Sequence, residues 1–348
     1  MRHTLLKAAV GVAILTLPIS ACTSSKPEAP ASGGAAASTA DPNAPAATTV
    51  TVPAKASKNY NLQFLQGVAG DEFYISMQCG AEAEAANLGV TVTTQGPQKF
   101  DPTLQKPILD SVTAATPDAI LIAPTDVTAM QGPLEAAAAA GTKIVLVDTT
   151  TEDPSYATSA IASDNEGGGK AAFDAIAKLN PAGGKVMVMS TDPGISTVDA
   201  RVKGFEDAVK SNPAFTYLPV QYSHNDPATA SNLMSSALQK DPDIVGVFAA
   251  NLFSAEGTAT GVRQAGKAET VKVVSFDAGP NQVKALQEGT VQALVAQQPG
   301  IIGQYGVDMA VAALDGGQVT PKVQTGFTII TKDNVNGDGA DAVYQSAC

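Results

Sequence analysis

Apolar residues from position 58 onward recur with two spacings, and the two alternate along the chain. Short, nearly continuous apolar runs predict strands, and runs with a period near 3.6 residues predict helices. The predicted strands are 61–65, 90–93, 119–123, 143–147, 185–189, 217–220, 244–249 and 271–276. The predicted helices are 73–88, 101–115, 127–140, 166–179, 199–210, 227–239 and 254–265. This alternation, with several strands apolar on both faces, predicts two doubly wound α/β units built on parallel sheets.

Polar residues that come soon after predicted strands are candidate site residues, because open α/β sheets bind ligands beyond the carboxyl ends of their strands. Four such residues stand out: Asp126, Asp148, Asn251 and Asp277. An Asp in this position can instead cap the following helix, so the pattern leaves both roles open for Asp148 and Asp277.

The N-terminus has a different pattern from the rest of the chain. Arg2 and Lys7 precede an uncharged, mostly apolar stretch over residues 8–19. This order predicts a secretory signal peptide at residues 1–21. The stretch is too short for a spanning helix, which needs about 20 apolar residues.

The signal ends in Leu17-Pro18-Ile19-Ser20-Ala21-Cys22, which resembles the bacterial lipobox. The resemblance implies cleavage before Cys22 and lipidation of its thiol. Several acyl chains, palmitate among them, would then anchor the protein to the cell membrane more firmly than one chain can. The alternative is an ordinary secretory signal with an incidental cysteine.

Residues 22–57 are predicted to be a lipidated cysteine followed by a disordered tether. Of residues 23–57, 28 are Ala, Ser, Thr, Pro or Gly, and they show no apolar periodicity. Such a segment cannot bury a core, so it suits a domain held near a membrane but free to move.

Composition excludes some classes of function. The chain has 21 Lys and Arg against 33 Asp and Glu, a net charge of -12, so phosphate-driven binding of nucleic acid is not expected. The run from Gly167 to Lys170 fails the nucleotide-binding pattern, because Asp164 and Ala171 stand where Gly and Ser or Thr are needed. No cofactor is implied. With one His after the signal and no catalytic Cys, little is available for nucleophilic catalysis.

Eight short segments in order, within about residues 60–332, resemble the ribose-type sugar-binding proteins, which are the type I extracytoplasmic receptors of bacterial ABC importers. The segments are Asp71-Glu72-Phe73-Tyr74, Ala123-Pro124-Thr125-Asp126, Val147-Asp148, Ile161-Ala162-Ser163-Asp164-Asn165, Arg201-Val202-Lys203-Gly204-Phe205, Phe248-Ala249-Ala250-Asn251, Ser275-Phe276-Asp277 and Ala296-Gln297-Gln298-Pro299. Each segment alone is weak, and the set in this order and spacing is specific.

This resemblance implies a periplasmic binding protein fold of type I, in which two lobes are joined by three hinge crossovers. The N-terminal lobe is expected at 58–163 with 298–327, and the C-terminal lobe at 164–297 with 328–348. A small monosaccharide or polyol would bind between the lobes, which would close by a hinge motion. The closed form of this monomer would then dock on an ABC permease in the membrane.

The family pattern also implies the ligand contacts. Those expected are Asp71, Phe73, Tyr74, Asp148, Arg201, Asn251, Asp277 and Gln297. Carboxylates accept hydrogen bonds from sugar hydroxyls, Arg donates in a fixed fork, amides do both, and aromatic rings cover apolar sugar faces. The structural alternatives are a helix-surface role for Arg201 and a core role for Phe73 and Tyr74.

The chain departs from the ribose-type pattern at three positions. Ala123 stands where the pattern has Asn, Thr149 where it has Arg, and Asn225 near where it has Phe. The chain also lacks Trp, the large stacking residue of many hexopyranose binders. We therefore expect a small sugar or a linear polyol (a pentose, pentitol or hexitol-like molecule) and leave ribose itself open, with Thr149 and Asn225 supplying replacement contacts. For His224 a solvated loop position is favoured, and a ligand contact is the alternative.

Two features near the C-terminus allow more than one interpretation. Cys79 and Cys348 remain once Cys22 is lipidated, and outside the cytosol they can form a disulfide or stay as free thiols. Residues 334–339 fit the start of a calcium loop, but Gln345 stands where a bidentate Glu is required. A polar turn is the expected structure there, with no bound metal.

Three functions are compatible with these patterns. The leading one is a binding receptor of an ABC sugar importer, which is not an enzyme. The second is a receptor for a furanosyl autoinducer-type signal on the same scaffold. The third is a sugar-active enzyme that uses Asp148 and Asp277 as an acid and base pair.

Overall fold

The computed structural model describes residues 48–348, so the predictions for the signal peptide and for Cys22 lie outside the described residues. The helices are α1 Glu72–Leu88, α2 Pro102–Ala114, α3 Gln131–Ala139, α4 Asn165–Leu179, α5 Ser196–Lys210, α6 Pro227–Lys240, α7 Leu252–Gln264, α8 Pro280–Glu288 and α9 Pro299–Leu314. The strands are β1 Asn61–Leu65, β2 Thr91–Gln95, β3 Ala119–Ile122, β4 Lys143–Val147, β5 Ser159–Ser163, β6 Gly184–Ser190, β7 Phe215–Tyr217, β8 Gln221–Tyr222, β9 Ile244–Ala249, β10 Lys272–Phe276, β11 Ala293–Ala296, β12 Lys322–Thr325 and β13 Thr328–Ile330.

The strands form two sheets, each the centre of one lobe. The first-lobe sheet has the order β12-β5-β4-β3-β1-β2, and all its pairs are parallel. The second-lobe sheet has the order β13-β11-β10-β9-β6-β7, with β8 beside β6. Only β13 pairs antiparallel among the strands described. In the first sheet β1 lies between β2 and β3, and in the second β6 lies between β7 and β9, so each sheet has a doubly wound switch point.

The chain crosses between the lobes three times. It leaves the first sheet after β5, returns from β11 through α9, and crosses again between β12 and β13. Helices α1 and α9 cover one face of the first sheet, and α2 and α3 cover the other. Helices α4 and α5 cover one face of the second sheet, and α6, α7 and α8 the other. The predicted fold class, two doubly wound lobes with three crossovers, is confirmed.

Several predicted elements differ from the observed ones at their ends. The helix predicted at 127–140 begins only at Gln131, because Asp126 accepts the backbone N–H groups of Thr128 and Ala129 and holds a separate turn. The strand predicted at 217–220 lies earlier, at Phe215–Tyr217. Its predicted end contains Pro219, which has no N–H to offer a neighbouring strand.

The described end of the predicted tether lies on the first lobe. The N–H of Thr48 donates to the carbonyl oxygen of Gln324 at 3.0 Å, and the N–H of Ala56 donates to that of Leu88 at 3.1 Å. The hydroxyl and N–H of Ser57 bond to the carboxylate of Asp315. Residues 48–57 therefore form an irregular but attached segment. None of the helices described is both long and apolar enough to cross a membrane.

Candidate ligand-binding site

The carboxyl ends of strands from both sheets face one cleft between the lobes, which contains about 410 Å³ of empty space, including the part open to solvent. The loops at its mouth touch: the N–H of Val127 donates to the carbonyl oxygen of Gly194 at 3.1 Å. The N–H of Thr150 also donates to Oγ of Ser196 at 2.9 Å. The structure therefore shows a closed arrangement of the lobes. The cleft is lined by Asp71, Phe73, Tyr74, Phe100, Asp148, Thr191, Ile195, Thr197, Val198, Arg201, Asn225, Asn251, Asp277 and Gln297.

The start of α1 forms the first-lobe wall. Asp71 caps this helix, since its Oδ1 accepts the N–H of Phe73 at 2.8 Å. The cap fixes the aromatic pair that follows it in the chain. The rings of Phe73 and Tyr74 pack edge to face, with centroids 5.1 Å apart. All three side chains are buried and line the cleft, so an aromatic surface stands beside a carboxylate.

Asp148 follows β4 with a φ of +65°, a backbone conformation uncommon outside glycine. The hydroxyl of Tyr74 donates to Oδ2 of Asp148 at 2.8 Å. The other oxygen, Oδ1, is buried and has no hydrogen-bond partner among residues 48–348. A buried acceptor left without a donor costs about 1–3 kcal/mol or more when charged. Asp148 is therefore poised to accept a hydrogen bond from a molecule in the cleft.

Arg201 is the cationic residue of the cleft, and it is only 3% exposed. Its Nε donates to Oδ1 of Asn165 and its Nη1 to the carbonyl oxygen of Ala250, both at 2.8 Å. The guanidinium carbon lies 3.7 Å from the ring centroid of Phe276, a cation–π contact. Guanidinium has five N–H donors. The two bonds hold it in place and leave donors for a ligand.

The glycine run at the start of α4 explains how α5, and with it Arg201, approaches so closely. A Cβ on Gly169 would stand 2.0 Å from the carbonyl oxygen of Arg201. On the facing helix, a Cβ on Gly204 would stand 2.0 Å from the carbonyl oxygen of Glu166. The glycines therefore serve helix packing, which agrees with the failed match to a phosphate-binding loop.

Two amides form the part of the wall near α7. Asn251 caps α7, its Oδ1 accepting the N–H of Ser254 at 3.1 Å. Its Nδ2 donates to Oδ1 of Asn225 at 2.6 Å. Asn225 has a φ of +54°, which Asn tolerates better than most residues. Asn251 is held by its cap contact with α7, and its hydrogen bond to Asn225 fixes both side chains in the cleft wall.

Asp277 and Gln297 lie at the hinge. Asp277 has a φ of +75°, and its Oδ2 accepts the N–H of Leu252 at 3.0 Å. Its Oδ1 accepts Nε2 of Gln297 at 2.7 Å. The Oε1 of Gln297 accepts the hydroxyl of Ser163, at the end of β5, at 2.8 Å. Gln297 thus connects the first lobe with the carboxylate of the second.

Burial sets the charge states in the cleft, where three carboxylates face one guanidinium. Burial, reinforced by repulsion from Asp277, raises the pKa of Asp71 well above its usual value. Burial also raises the pKa of Asp148 to about 6, against the opposing attraction of Arg201. Asp71 is therefore held toward its protonated, hydrogen-bond-donating form, and Asp148 changes charge just below neutral pH.

Nine of the ten residues predicted to bind ligand line the cleft, and Thr149 does not. The hydroxyl of Thr149 donates to the carbonyl oxygen of Pro124 at 2.7 Å, so its side chain serves the loop after β3. His224 also lies outside the lining, in the solvated position favoured from the sequence: its side chain is 71% exposed and bonds to Asp192 through Nδ1.

Five lining residues were not predicted from the sequence: Phe100, Thr191, Ile195, Thr197 and Val198. Thr191 directly follows β6, so the rule applied to the other strand ends would have selected it. The remaining four lie before α2 or around the start of α5, where no local pattern marks them. Thr191 is buried, and its hydroxyl has no hydrogen-bond partner in the described part of the chain.

The C-terminal features are structural in the region described. Cys79 and Cys348 form a disulfide, with Cα atoms 5.2 Å apart. Asn334 accepts the N–H of Thr331 at 2.7 Å and donates to the carbonyl oxygen of Ile329 at 2.9 Å, so it organises a turn. Residues 48–348 contain no cluster of three or more acidic, His or Cys side chains that could hold a metal ion.

Known proteins share both the sequence pattern and the fold of this chain. A family model described as periplasmic binding protein domain matches residues 63–318. The chain belongs to the periplasmic binding protein family. Among curated relatives of this periplasmic binding protein, the ribose import binding protein of Salmonella typhimurium is 32% identical over 82% of this chain and 95% of its own. The ribose import binding protein of Bacillus subtilis is 28% identical over 79% of this chain and 88% of its own.

Solved structures of other members have the same fold as this periplasmic binding protein. An ABC transporter solute-binding protein from Agrobacterium vitis, bound with α-D-tagatopyranose, is 41% identical with a TM-score of 0.81 and covers 82% of this chain and 100% of its own. A carbohydrate transporter solute-binding protein from Agrobacterium radiobacter, in complex with D-arabinose, is 28% identical with a TM-score of 0.79. It covers 83% of this chain and 100% of its own. The family acts outside the cytoplasm.

Proposed function

We propose that this protein is the receptor of an ABC sugar importer and captures a small monosaccharide or polyol in the interlobe cleft by hinge closure. The proposal assigns the first lobe to residues 58–163 with 298–327 and the second to residues 164–297 with 328–348. Each lobe supplies part of the cleft wall. A ligand between them would therefore stabilise the closed form through bonds to both lobes.

The observation that carries this proposal is the pair of unpartnered polar atoms that line the cleft. Oδ1 of Asp148 comes from the first lobe and Oγ1 of Thr191 from the second, and neither has a partner among the described residues. A neutral molecule with several hydroxyls can donate to Asp148 and exchange a hydrogen bond with Thr191 at the same time. The spare donors of Arg201 would bind further hydroxyl oxygens.

The apolar part of the lining suits the carbon skeleton of the same molecule. Phe73, Phe100, Ile195 and Val198 lie beside the polar groups, and no Trp is present in the chain. Aromatic and aliphatic surfaces cover the C–H faces of a sugar ring. The Agrobacterium neighbours carry α-D-tagatopyranose and D-arabinose, which supports a ligand of monosaccharide size.

The bonding of Asp277 argues against the enzymatic alternative. Its Oδ2 accepts the N–H of Leu252, and its Oδ1 accepts both Gln297 and the hydroxyl of Tyr344. A carboxylate that three protein donors already hold is fixed as an acceptor, which suits a binding role rather than a catalytic one. We therefore propose a binding protein without catalysis, consistent with relatives that are binding proteins of importers.

The cellular setting completes the proposal. Lipidation of Cys22 would anchor this monomer to the outer surface of the cytoplasmic membrane, near the permease that receives the sugar. Replacing Cys22 by Ser should release the protein from the membrane fraction. Equal membrane retention of the Cys22→Ser variant would contradict the anchor and leave the binding function untouched.

A thermal-shift screen tests the binding function. The panel should contain D-tagatose, D-arabinose, D-ribose, D-allose, hexitols, pentitols, inositols and a furanosyl autoinducer. A ligand at a hundredfold excess over its Kd stabilises the folded state by about 2.7 kcal/mol, so a true ligand raises Tm clearly. Asp148→Asn should lose the shift, and Asp110→Asn, on an exposed face of α2, should keep it. A panel without any shift would refute the proposal, and a shift with the autoinducer alone would favour a signal receptor.

A further inference from the structure

The C-terminal tail, residues 331–348, connects the two lobes on the side of the hinge. The N–H of Tyr344 donates to the carbonyl oxygen of Ala278 in the second lobe at 3.0 Å. The N–H of the next residue, Gln345, donates to Oγ of Ser76 in α1 at 2.7 Å. The disulfide from Cys348 to Cys79 then ties the end of the tail to the same helix. The tail, which is assigned to the second lobe, thus contacts the first lobe through Gln345 and Cys348.

Tyr344 contacts the two hinge residues Asp277 and Gln297 from outside the cleft lining. Its hydroxyl accepts the N–H of Gln297 and donates to Oδ1 of Asp277, both at 3.0 Å. The side chain is only 4% exposed, and its ring lies 5.9 Å from that of Phe73, centroid to centroid. Tyr344 therefore contacts three residues that line the cleft, Phe73, Asp277 and Gln297, but is not itself part of the cleft lining.

The hydroxyl of Tyr344 has no obvious substitute. Without it, the buried N–H of Gln297 would lose its acceptor, and Oδ1 of Asp277 would keep a single donor, Nε2 of Gln297. Asp277 also has a positive φ, which is unfavourable for a residue with a side chain. Such a conformation persists where surrounding bonds determine it, so the orientation of Asp277 depends on these partners.

We propose that Tyr344 is a positioning residue of the ligand site and that the Cys79–Cys348 disulfide keeps it in place when the lobes move. The inference rests on the proposed sugar-binding function. The four residues that follow Tyr344 span at most about 14 Å when extended, so the disulfide holds Tyr344 near α1 even in an open form. The matched family model ends at residue 318, before the tail begins.

Tyr344→Phe tests the role of the hydroxyl, because it keeps the ring and its packing. We expect the affinity for the best sugar of the screen, with D-tagatose as first probe, to fall about tenfold. Amide hydrogen exchange at Gln297 should become about tenfold faster, while Val295 within β11 stays unchanged. The matched control is Tyr305→Phe, since the hydroxyl of Tyr305 makes no hydrogen bond within residues 48–348 in the structure. It should leave both readouts unchanged.

A second variant tests the disulfide. Cys79→Ser with Cys348→Ser should lower the affinity in the same direction, because the tail can then leave the hinge together with Tyr344. Adding Tyr344→Phe to this pair should weaken binding by less than it does in the disulfide-bonded protein. If Tyr344→Phe weakens sugar binding by the same factor with and without the disulfide, the proposed link between the disulfide and Tyr344 is wrong.

The outcomes separate this inference from the function it rests on. Wild-type affinity and wild-type exchange at Gln297 in Tyr344→Phe would refute the positioning role. So would equal losses in Tyr344→Phe and Tyr305→Phe, which would indicate a general loss of stability. If the wild-type protein binds no carbohydrate, the proposed function fails, and the exchange rate at Gln297 still decides whether Tyr344 holds the hinge.

Discussion

Asp308 is a buried carboxyl in α9 whose ionisation should destabilise the fold. The residue is fully buried, and neither of its oxygens has a hydrogen-bond partner among the residues described. Burial, followed by the nearby carboxyl of Glu84 on α1, raises its pKa from 3.8 to about 7. Replacing Asp308 by Asn keeps the shape of the side chain and removes the ionisation.

The size and direction of the effect follow from proton linkage. A carboxyl with a higher pKa in the folded state stabilises the fold most below its unfolded pKa, near 3.8. That stability is lost as the pH rises toward 7, at up to about 1.4 kcal/mol per pH unit. Over about three units the loss approaches 4 kcal/mol. The Asn variant has no such pH-dependent loss of stability, but burying its amide has a cost of its own. At pH 8 it should therefore be about 2–4 kcal/mol more stable than wild type.

Urea unfolding followed by circular dichroism at pH 4.5, 6 and 8, with the disulfide intact, measures this difference. Asp308→Asn should gain stability relative to wild type as the pH rises. The control Asp110→Asn changes a carboxylate that is 58% exposed, and its pH profile should match that of wild type. If Asp308→Asn and wild type lose stability in parallel between pH 4.5 and 8, the carboxyl is not held in its neutral form and the reasoning is wrong.

Three further predictions concern the cleft. Because an ionised carboxylate accepts stronger hydrogen bonds from ligand hydroxyls than a neutral carboxyl does, sugar affinity should fall as the pH drops below the Asp148 pKa of about 6, and Asp148→Asn should bind weakly at every pH; calorimetry across pH 5–8 measures this, and a flat wild-type profile would contradict it. Arg201→Ala should abolish sugar binding and cost about 1–3 kcal/mol of stability, because Asn165 loses its buried donor; near-wild-type affinity would remove Arg201 from the site. Thr149→Val should leave sugar affinity within about twofold while lowering Tm, because only the bond to Pro124 is lost; a tenfold loss of affinity would show that Thr149 acts on the ligand.

The alternation of strands and helices was predictable from local pattern because each lobe buries apolar strands between helices. The helix predicted at 73–88 is observed at Glu72–Leu88, where Asp71 caps its start and Gly89 ends it in the left-handed conformation. Ends set by tertiary contacts were predicted less well. The residues before Gln131 form a turn around the carboxylate of Asp126, which the apolar spacing does not reveal.

The site was predictable where its residues stand at strand ends or in recognisable segments, and it was not where they come from loops. Thr149 occupies a plausible position directly after Asp148, but its hydroxyl turns to the carbonyl oxygen of Pro124. Phe100 and Tyr344 reach the cleft and hinge by long-range packing that no local spacing encodes. Burial and partner choice decide these roles, and both depend on distant parts of the chain.

Calorimetric titration of the purified protein with the sugar panel at pH 7.5 tests the central claim most directly, with Arg201→Ala and Asp148→Asn titrated in parallel. We expect saturable one-to-one binding of at least one monosaccharide or polyol by the wild-type protein and loss of that heat in both variants. Absence of saturable binding by the wild-type protein, or undiminished binding by both variants, would contradict capture of a sugar in the interlobe cleft.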